Sequence, residues 1–264
     1  MLAKICEVSF KRLQFTPDLL PADIVGTRIY NQSTGNFEVS KGPIFANFVL
    51  ADEINRAPAK VQSALLETMQ ERQVTIGDTT FKMPKPFLVF ATMNPVEQEG
   101  TYALPEAQVD RFMMKLIVDY PTIEEEAKVV KMVIEETALP DLKNILKPDD
   151  ITKLQAEARK VFIEDKIIKY ISTLIQATRT PEAYKLDVKN LIQYGASPRA
   201  SINFAMVARA RALSEGRSSV NPDDIKAIAY NLLRHRIILT YHAEAEGITS
   251  EQIISNILKA VKVP

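Results

Sequence analysis

Tryptophan is absent from this 264-residue chain, cysteine occurs once, histidine twice and glycine only eight times. Each shortage excludes something. A lone Cys6 can form neither an internal disulfide nor a cysteine-based zinc site, and two histidines do not supply the missing ligands. That usage fits a reducing compartment, so a cytoplasmic location is expected. Net charge is missing too: 33 Lys and Arg balance 33 Asp and Glu. Divided at Tyr120, the chain carries 12 basic against 14 acidic residues before that point and 21 against 19 after it. Neither half is therefore an electrostatic arm, and no nucleic-acid partner is expected. No apolar run approaches the roughly 20 residues of a membrane span, and Met1 to Phe10 has no long apolar stretch, so neither insertion nor secretion is expected. What is present, 46% hydrophobic and 25% charged residues, is the globular average, in a length that allows two domains.

Up to about Tyr120 short apolar runs alternate with loops and helical stretches, the pattern of an α/β layer fold. Lys11–Phe15, Phe48–Ala51, Phe87–Thr92 and Met114–Val118 read as strands, the second and third continuous enough for burial on both faces. Between those two, Pro58 suits a first helical turn, and Val61, Ala64, Leu65, Thr68 and Met69 recur at helical spacing. A second short helix is expected from Pro105 to Phe112. Two hairpins interrupt the layer. Thr27–Tyr30 and Asn36–Val39 flank a five-residue turn, while Gln73–Ile76 and Thr79–Phe81 flank Gly77-Asp78. After Pro121 the strand signals stop. Thr122 with Glu125 forms a capping box, Ser197-Pro198 and Asn221-Pro222 pair a cap with a first-turn proline, and Ile225, Ile228, Ala229, Leu232 and Leu233 make one apolar stripe. The expectation is an α/β core over residues 1–120 followed by an all-helical domain over 121–264, in which Arg179–Ala196 is a long loop.

Phe48 to Glu53 is an apolar strand ending in two adjacent carboxylates. Ligands of parallel α/β sheets bind at the carboxyl ends of strands. An apolar run followed by Asp-Glu is also the Walker B pattern, in which one acid holds the water shell of Mg2+ and the next orients or deprotonates the attacking water. On its own the motif equally describes a strand ending in a solvated acidic turn. The next strand ends in Met93-Asn94-Pro95, where an amide can reach the same water, or where Asn-Pro is simply a turn.

Several ordered segments resemble the MoxR family of AAA+ ATPases: Phe15–Pro21, Ala51–Ala57, Gln62–Glu67, Ala91–Pro95 and Leu104–Phe112, with Gly195–Arg199 matching the start of the sensor 2 helix. The resemblance spans essentially the whole chain and implies an AAA+ parallel-sheet core followed by a helical lid. It implies that Asp52 is the Walker B ligand of Mg2+ through water, Glu53 the water-activating acid, Asn94 sensor 1, Arg111 an arginine finger reaching the nucleotide of a neighbouring subunit, and Arg199 sensor 2. A planar guanidinium suits phosphate oxygens and transition-state charge; the plainer alternative for Arg111 is a surface pair with Asp110. An arginine in the first turn of a helix, as at 199, opposes the macrodipole, a misfit that an intervening anion relieves. Arg56 either faces a neighbour or pairs with Glu53 or Glu97. Tyr30 and Phe37 on the first hairpin are candidate substrate contacts, or one packed hairpin face. The implied cofactors are ATP and Mg2+. The implied assembly is a hexameric ring, and the implied partner is a protein with a von Willebrand factor A domain, remodelled in chaperone-like fashion.

One departure is large. The P-loop, G-x-x-x-x-G-K-[ST], occurs nowhere: no glycine precedes Gly26 and no Gly-Lys pair exists. By the family pattern the loop and the central strand before it lie upstream of Met1, leaving edges of the sheet unpaired. The expectation is the greater part of a longer ATP hydrolase, this portion being inactive without its Walker A segment. The alternatives are a non-catalytic interaction subunit that has lost the loop, and a related motor of the magnesium-chelatase or helicase type.

Overall fold

Backbone pairing in a three-stranded parallel sheet decides which residues meet at the strand ends. The computed structural model describes residues 1–94, 102–136, 142–186, 188 and 190–264. A single helical turn, α1 (Leu2–Ile5), precedes β1 (Phe10–Gln14) and a short α2 (Pro21–Val25). The first hairpin, β2 (Gly26–Asn31) and β3 (Asn36–Lys41), leads to β4 (Phe48–Asp52) and α3 (Ala59–Glu71). A second hairpin, β5 (Gln73–Ile76) and β6 (Thr79–Lys82), is followed by β7 (Leu88–Ala91) and one turn of helix, α4 (Glu106–Val109), shorter than the sequence suggests. Strand order is β1-β4-β7, with Gln14 opposite Asp52 and Ala51 opposite Ala91, so all three strands end at one level.

One face of this sheet is packed. Leu13, Ala51, Val89 and Ala91 join Phe15, Ile24, Ile54, Val61 and Leu65 in a single core. On the other face Phe10, Leu88 and Phe90 are exposed. β7 is therefore not buried on both sides, as its continuous apolar run suggests. It is an outer strand of the described sheet, and apolar composition cannot say whether a second layer covers it. The fourth expected strand does not form either. Met114 packs against the helical core and Lys115 N–H donates to the Asn231 carbonyl (2.9 Å), while Leu116, Ile117 and Val118 are exposed. An extended apolar run becomes a strand only beside a free edge that pairs with it, and this run lies along a helix instead.

The hairpins form where the turn chemistry places them and pack together. The Arg28 guanidinium stacks on Phe37 (5.2 Å) and pairs with Asp78 across the second turn (3.3 Å), and the Lys41 ammonium sits over Phe45 and Phe81 at 5.1 and 4.5 Å. Tyr30 and Phe37 rest against one another, 5.3 Å between centroids, and remain more than half exposed. At the hairpin base the backbone passes close to itself. A Cβ on Gly42 would lie 2.1 Å from the Ile24 carbonyl oxygen, and one on Gly26, whose φ is +100°, 2.2 Å from that of Ser40. Ile24 is fully buried, so the contact cannot relax outward. Gly42→Ala is expected to cost at least about 2 kcal/mol of stability. A urea midpoint equal to that of the unmodified protein would show that the base yields cheaply.

The remaining helices are α5 (Ile123–Ile134), α6 (Pro148–Lys160), α7 (Asp165–Arg179), α8 (Pro198–Ser214), α9 (Pro222–Leu233), α10 (Tyr241–Ala245) and α11 (Ser250–Ala260). The expected caps are made. Thr122, Ser197 and Asn221 accept from Glu125, Arg199 and Asp224 backbone N–H groups respectively, and the whole Ile225–Leu233 stripe is buried. This second core is built from α7, α8, α9 and α11. It is not all-helical. Within the presumed loop, Ile192–Tyr194 (β8) pairs antiparallel with Ile238–Leu239 (β9). Two strands of three and two residues, 44 or more positions apart, are too short to register as a period. α5 buries none of its residues, leaving Ile123, Val133 and Ile134 exposed. Among the described residues no helix is long and apolar enough to cross a membrane.

Candidate functional site

Level strand ends bring Arg12, Gln14, Asp52, Glu53 and Thr92 into one cluster. Asp52 accepts from the Thr92 hydroxyl with one oxygen and from Arg12 Nε (2.9 Å) and Nη2 with the other. The Thr92 hydrogen bond, then that from Arg12, holds the Asp52 carboxyl below the usual range. It is therefore a fixed negative charge at neutral pH, with its side chain partly open to solvent.

Glu53 adopts the left-handed conformation, φ 57° and ψ 51°, uncommon for a residue bearing a Cβ. Its N–H donates to the Thr92 hydroxyl oxygen (2.9 Å), and the Ile54 N–H donates to the Thr92 carbonyl (3.0 Å). Buried Gln62 braces the same turn from α3, its amide donating to the Ile54 and Ala57 carbonyls and to that of Tyr102. Strain held by three neighbouring elements is a feature of functional sites. The Glu53 carboxylate accepts from Gln14 Nε2 (2.6 Å) and Arg56 Nη1 (3.0 Å). Of the partners open for Arg56, the structure shows Glu53; Glu97 lies outside the described residues.

The expected polar residue of the neighbouring strand was Asn94, which lies two residues past the Thr92 that touches both acids. Thr92, Gln14 and Arg12 were not singled out from the sequence. The signal was available only as register: strands that start level at Phe10, Phe48 and Leu88 bring their last residues side by side.

A second cluster surrounds Asp110, reached from the start of α8 and from just past the end of α9. Ser197 Oγ (2.8 Å) and Arg199 Nη1 (3.1 Å) donate to one carboxylate oxygen and Arg236 Nε (2.8 Å) to the other. Burial pushes the Asp110 carboxyl up, but these hydrogen bonds outweigh it and the group lies below its usual range. The anion that relieves an arginine in the first turn of α8 is thus supplied by the protein itself. The approach to this turn is also fixed. Ala196 N–H donates to the Thr178 hydroxyl (2.9 Å), Arg179 Nε to the Ala196 carbonyl (2.7 Å), and a Cβ on Gly195 would lie 2.4 Å from the Thr178 carbonyl oxygen.

Arg111 is not paired with Asp110. It lines a polar cleft of about 390 Å3 with Gln108 and with Ser63, Leu66, Glu67, Gln70 and Glu71 of α3. Among the described residues no hydrogen bond or ion pair joins the Asp52–Glu53 cluster to Asp110 and Arg199, and Arg111 belongs to neither.

Chemically, the strand-end cluster presents one fixed carboxylate and one held by neutral and cationic donors, a set suited to a hydrated divalent cation and an attacking water. No group of three or more His, Cys, Asp or Glu side chains able to hold a bare ion occurs among the described residues. A phosphate-cradling P-loop is not among the 264 residues. The residues present at the strand ends thus fit the metal-and-water end of a nucleotide site.

Comparison with known proteins agrees. Residues 1–114 match the family model described as ATPase family associated with various cellular activities (AAA), and residues 185–257 match that of the AAA lid domain. The chain is 49% identical over 263 residues to Chaperone MoxR1 of Mycobacterium tuberculosis (strain ATCC 25618 / H37Rv), covering 99% of this chain and 69% of that protein. It is 46% identical over 263 residues to YeaC of Bacillus subtilis (strain 168), covering 80% of it. A crystal structure from Cytophaga hutchinsonii ATCC 33406 superposes with a TM-score of 0.94 at 55% identity, over 100% of this chain and 80% of that one.

Proposed function

This chain belongs to the MoxR family of AAA+ ATPases, and from that premise we propose that it works at the interfaces of a hexameric ring, where ATP hydrolysis drives chaperone-like remodelling of a partner. AAA+ membership brings nucleotide binding and oligomeric assembly. The observation that carries the finer reading is the strand-end pair, charged Asp52 beside Glu53 braced by Gln14 and Arg56.

On this reading the core is residues 1–120 and the lid 121–264. Asp52 holds Mg2+ through water and Glu53 orients the attacking water, with Asn94 as sensor 1. Arg199 reaches the phosphates from the lid, and Arg111 reaches those bound by the neighbouring subunit. When bound, Mg-ATP supplies a phosphoryl group whose transfer depends mainly on positioning and charge stabilisation. The partner proposed is a protein carrying a von Willebrand factor A domain.

A second reading rests on one observation, that no G-x-x-x-x-G-K-[ST] occurs in these 264 residues. On it the chain keeps the ring interface and Arg111 but is a non-catalytic interaction subunit. Phosphate release from Mg-ATP, measured beside binding of a fluorescent ATP analogue in a form extended at its N-terminus by the coding sequence upstream of Met1, separates the two. Under the first reading Glu53→Gln retains the analogue and loses about 100-fold or more of the release rate. Equal release by variant and unmodified protein removes Glu53 from its role. Absence of release from that extended form selects the interaction subunit.

A further inference from the structure

The Arg236 side chain has no exposed surface, yet carries a full charge. Its five hydrogen bonds run from Nε to the Asp110 carboxylate, from Nη1 to the Met113 (3.1 Å) and Leu232 carbonyls, and from Nη2 to the Asp110 (3.1 Å) and Phe112 (2.6 Å) carbonyls. Its neighbours grip the same segment. His235 Nε2 meets the Phe112 carbonyl (3.1 Å) and Arg234 Nη1 donates to the Lys115 carbonyl (3.3 Å). Residues 110–115 are thus clamped to the end of α9 by side chains 119 to 126 positions away. The other oxygen of Asp110 is held by Ser197 and Arg199 at the start of α8. Asp110 continues directly into Arg111, whose side chain enters the cleft against α3.

An ion pair of this kind is a poor way to gain stability, because a well-packed apolar pair of similar volume does as well or better. Its distinctive property is geometric. A planar fork with every donor engaged tolerates little displacement of its acceptors.

We propose that Asp110 and Arg236 are positioning residues that join Arg199 and Arg111 into one rigid unit, so that a shift of α8 at Arg199 is passed to Arg111. The functional meaning rests on the reading above, in which these arginines act on nucleotides bound at two different subunit interfaces: phosphate contact at one site then moves the arginine offered to the next. The coupling itself is a property of this chain and can be measured without turnover.

Amide hydrogen exchange of the whole protein tests it, comparing Arg199→Ala, Asp110→Asn and Arg236→Lys with the unmodified chain. Arg199 is about half exposed, so its truncation leaves the fold intact. Coupling predicts that Arg199→Ala speeds exchange about tenfold both in the first turns of α8 and at Arg111, Phe112 and Lys115, with Ile171–Ile175 of α7 unchanged. Arg236→Lys, a point charge without the fork, has the same paired effect. Acceleration confined to α8 in Arg199→Ala overturns the inference, and so does uniform acceleration across the helical core in all three variants. Mg-ATP added to the N-terminally extended form serves the other question. If it slows both segments together, the coupling and the nucleotide reading both stand. If it slows α8 alone, the coupling falls. If it slows neither while Arg199→Ala still speeds both, the coupling stands and the role given to Arg199 falls.

Discussion

Asp224→Ala is expected to lower the free energy of unfolding by about 3 kcal/mol, read as a lower urea midpoint at unchanged slope. The carboxylate is 2% exposed, and three elements meet on it. Arg217 holds it with both terminal nitrogens (2.8 and 2.6 Å), Arg211 Nε lies 3.5 Å away, and the Asn221 N–H donates to it (2.9 Å), closing the capping box of α9. Truncation therefore leaves a guanidinium without its main acceptor, removes half of a capping box, and takes a negative charge from a helix N-terminus. A loss below about 0.5 kcal/mol would place the cluster with ordinary surface pairs.

The same network sets the response to acid. Burial pushes the Asp224 carboxyl up, but hydrogen bonds from Arg217 and the Asn221 backbone outweigh it, leaving it below its usual range. A carboxyl depressed in the folded state contributes stability that is present above its unfolded value, about 3.9, and is lost as pH falls through the folded one. Asp110 acts in the same sense. His235 acts at higher pH. Burial, then the charge of Arg236, lowers its value to about 4, so the unfolded chain takes up a proton first and stability declines as pH falls from about 6.5 toward 4. Stability against pH is thus expected to fall in two stages, and Asp224→Asn is expected to flatten only the lower one. An unaltered lower stage in that variant would remove Asp224 as its source.

Phe204→Ala is expected to cost about 3–5 kcal/mol. The fully buried positions of α8 are Ala200, Phe204, Ala208 and Ala212, four residues apart, and they lie in the core shared with α7, α9 and α11. Three alanines let the neighbouring helices approach closely, and Phe204 fills the volume that remains. Its removal opens a cavity walled by elements already in contact, which limits collapse. A cost under about 1.5 kcal/mol would mean that the helices close over the gap.

How much of this was legible beforehand differs element by element. The hairpin at Gly77-Asp78, the caps at Thr122, Ser197 and Asn221, and the buried stripe of α9 were readable because each is set by residues within a few positions of one another. Asp52 and Glu53 were readable as a strand end for the same reason. Met114–Val118 misled because its local preference was real but its pairing partner is not local. Leu88 and Phe90 misled because a run of apolar residues does not report whether a second layer covers it.

Sequence by itself thus determined the family, the parallel core with its helical lid, and the strand carrying the two acids, all consequences of short-range periodicity, turn chemistry and ordered motifs. Tertiary structure alone decided that Gln14 and Arg56 hold Glu53, that Thr92 bridges both acids, and that Asp110 serves Arg199 and Arg236 rather than Arg111. The physical reason is that a charged or polar side chain states in sequence only what it can donate or accept. Which group satisfies it depends on strand register and helix packing between residues up to 126 positions apart, and on the cost of leaving it buried without a partner.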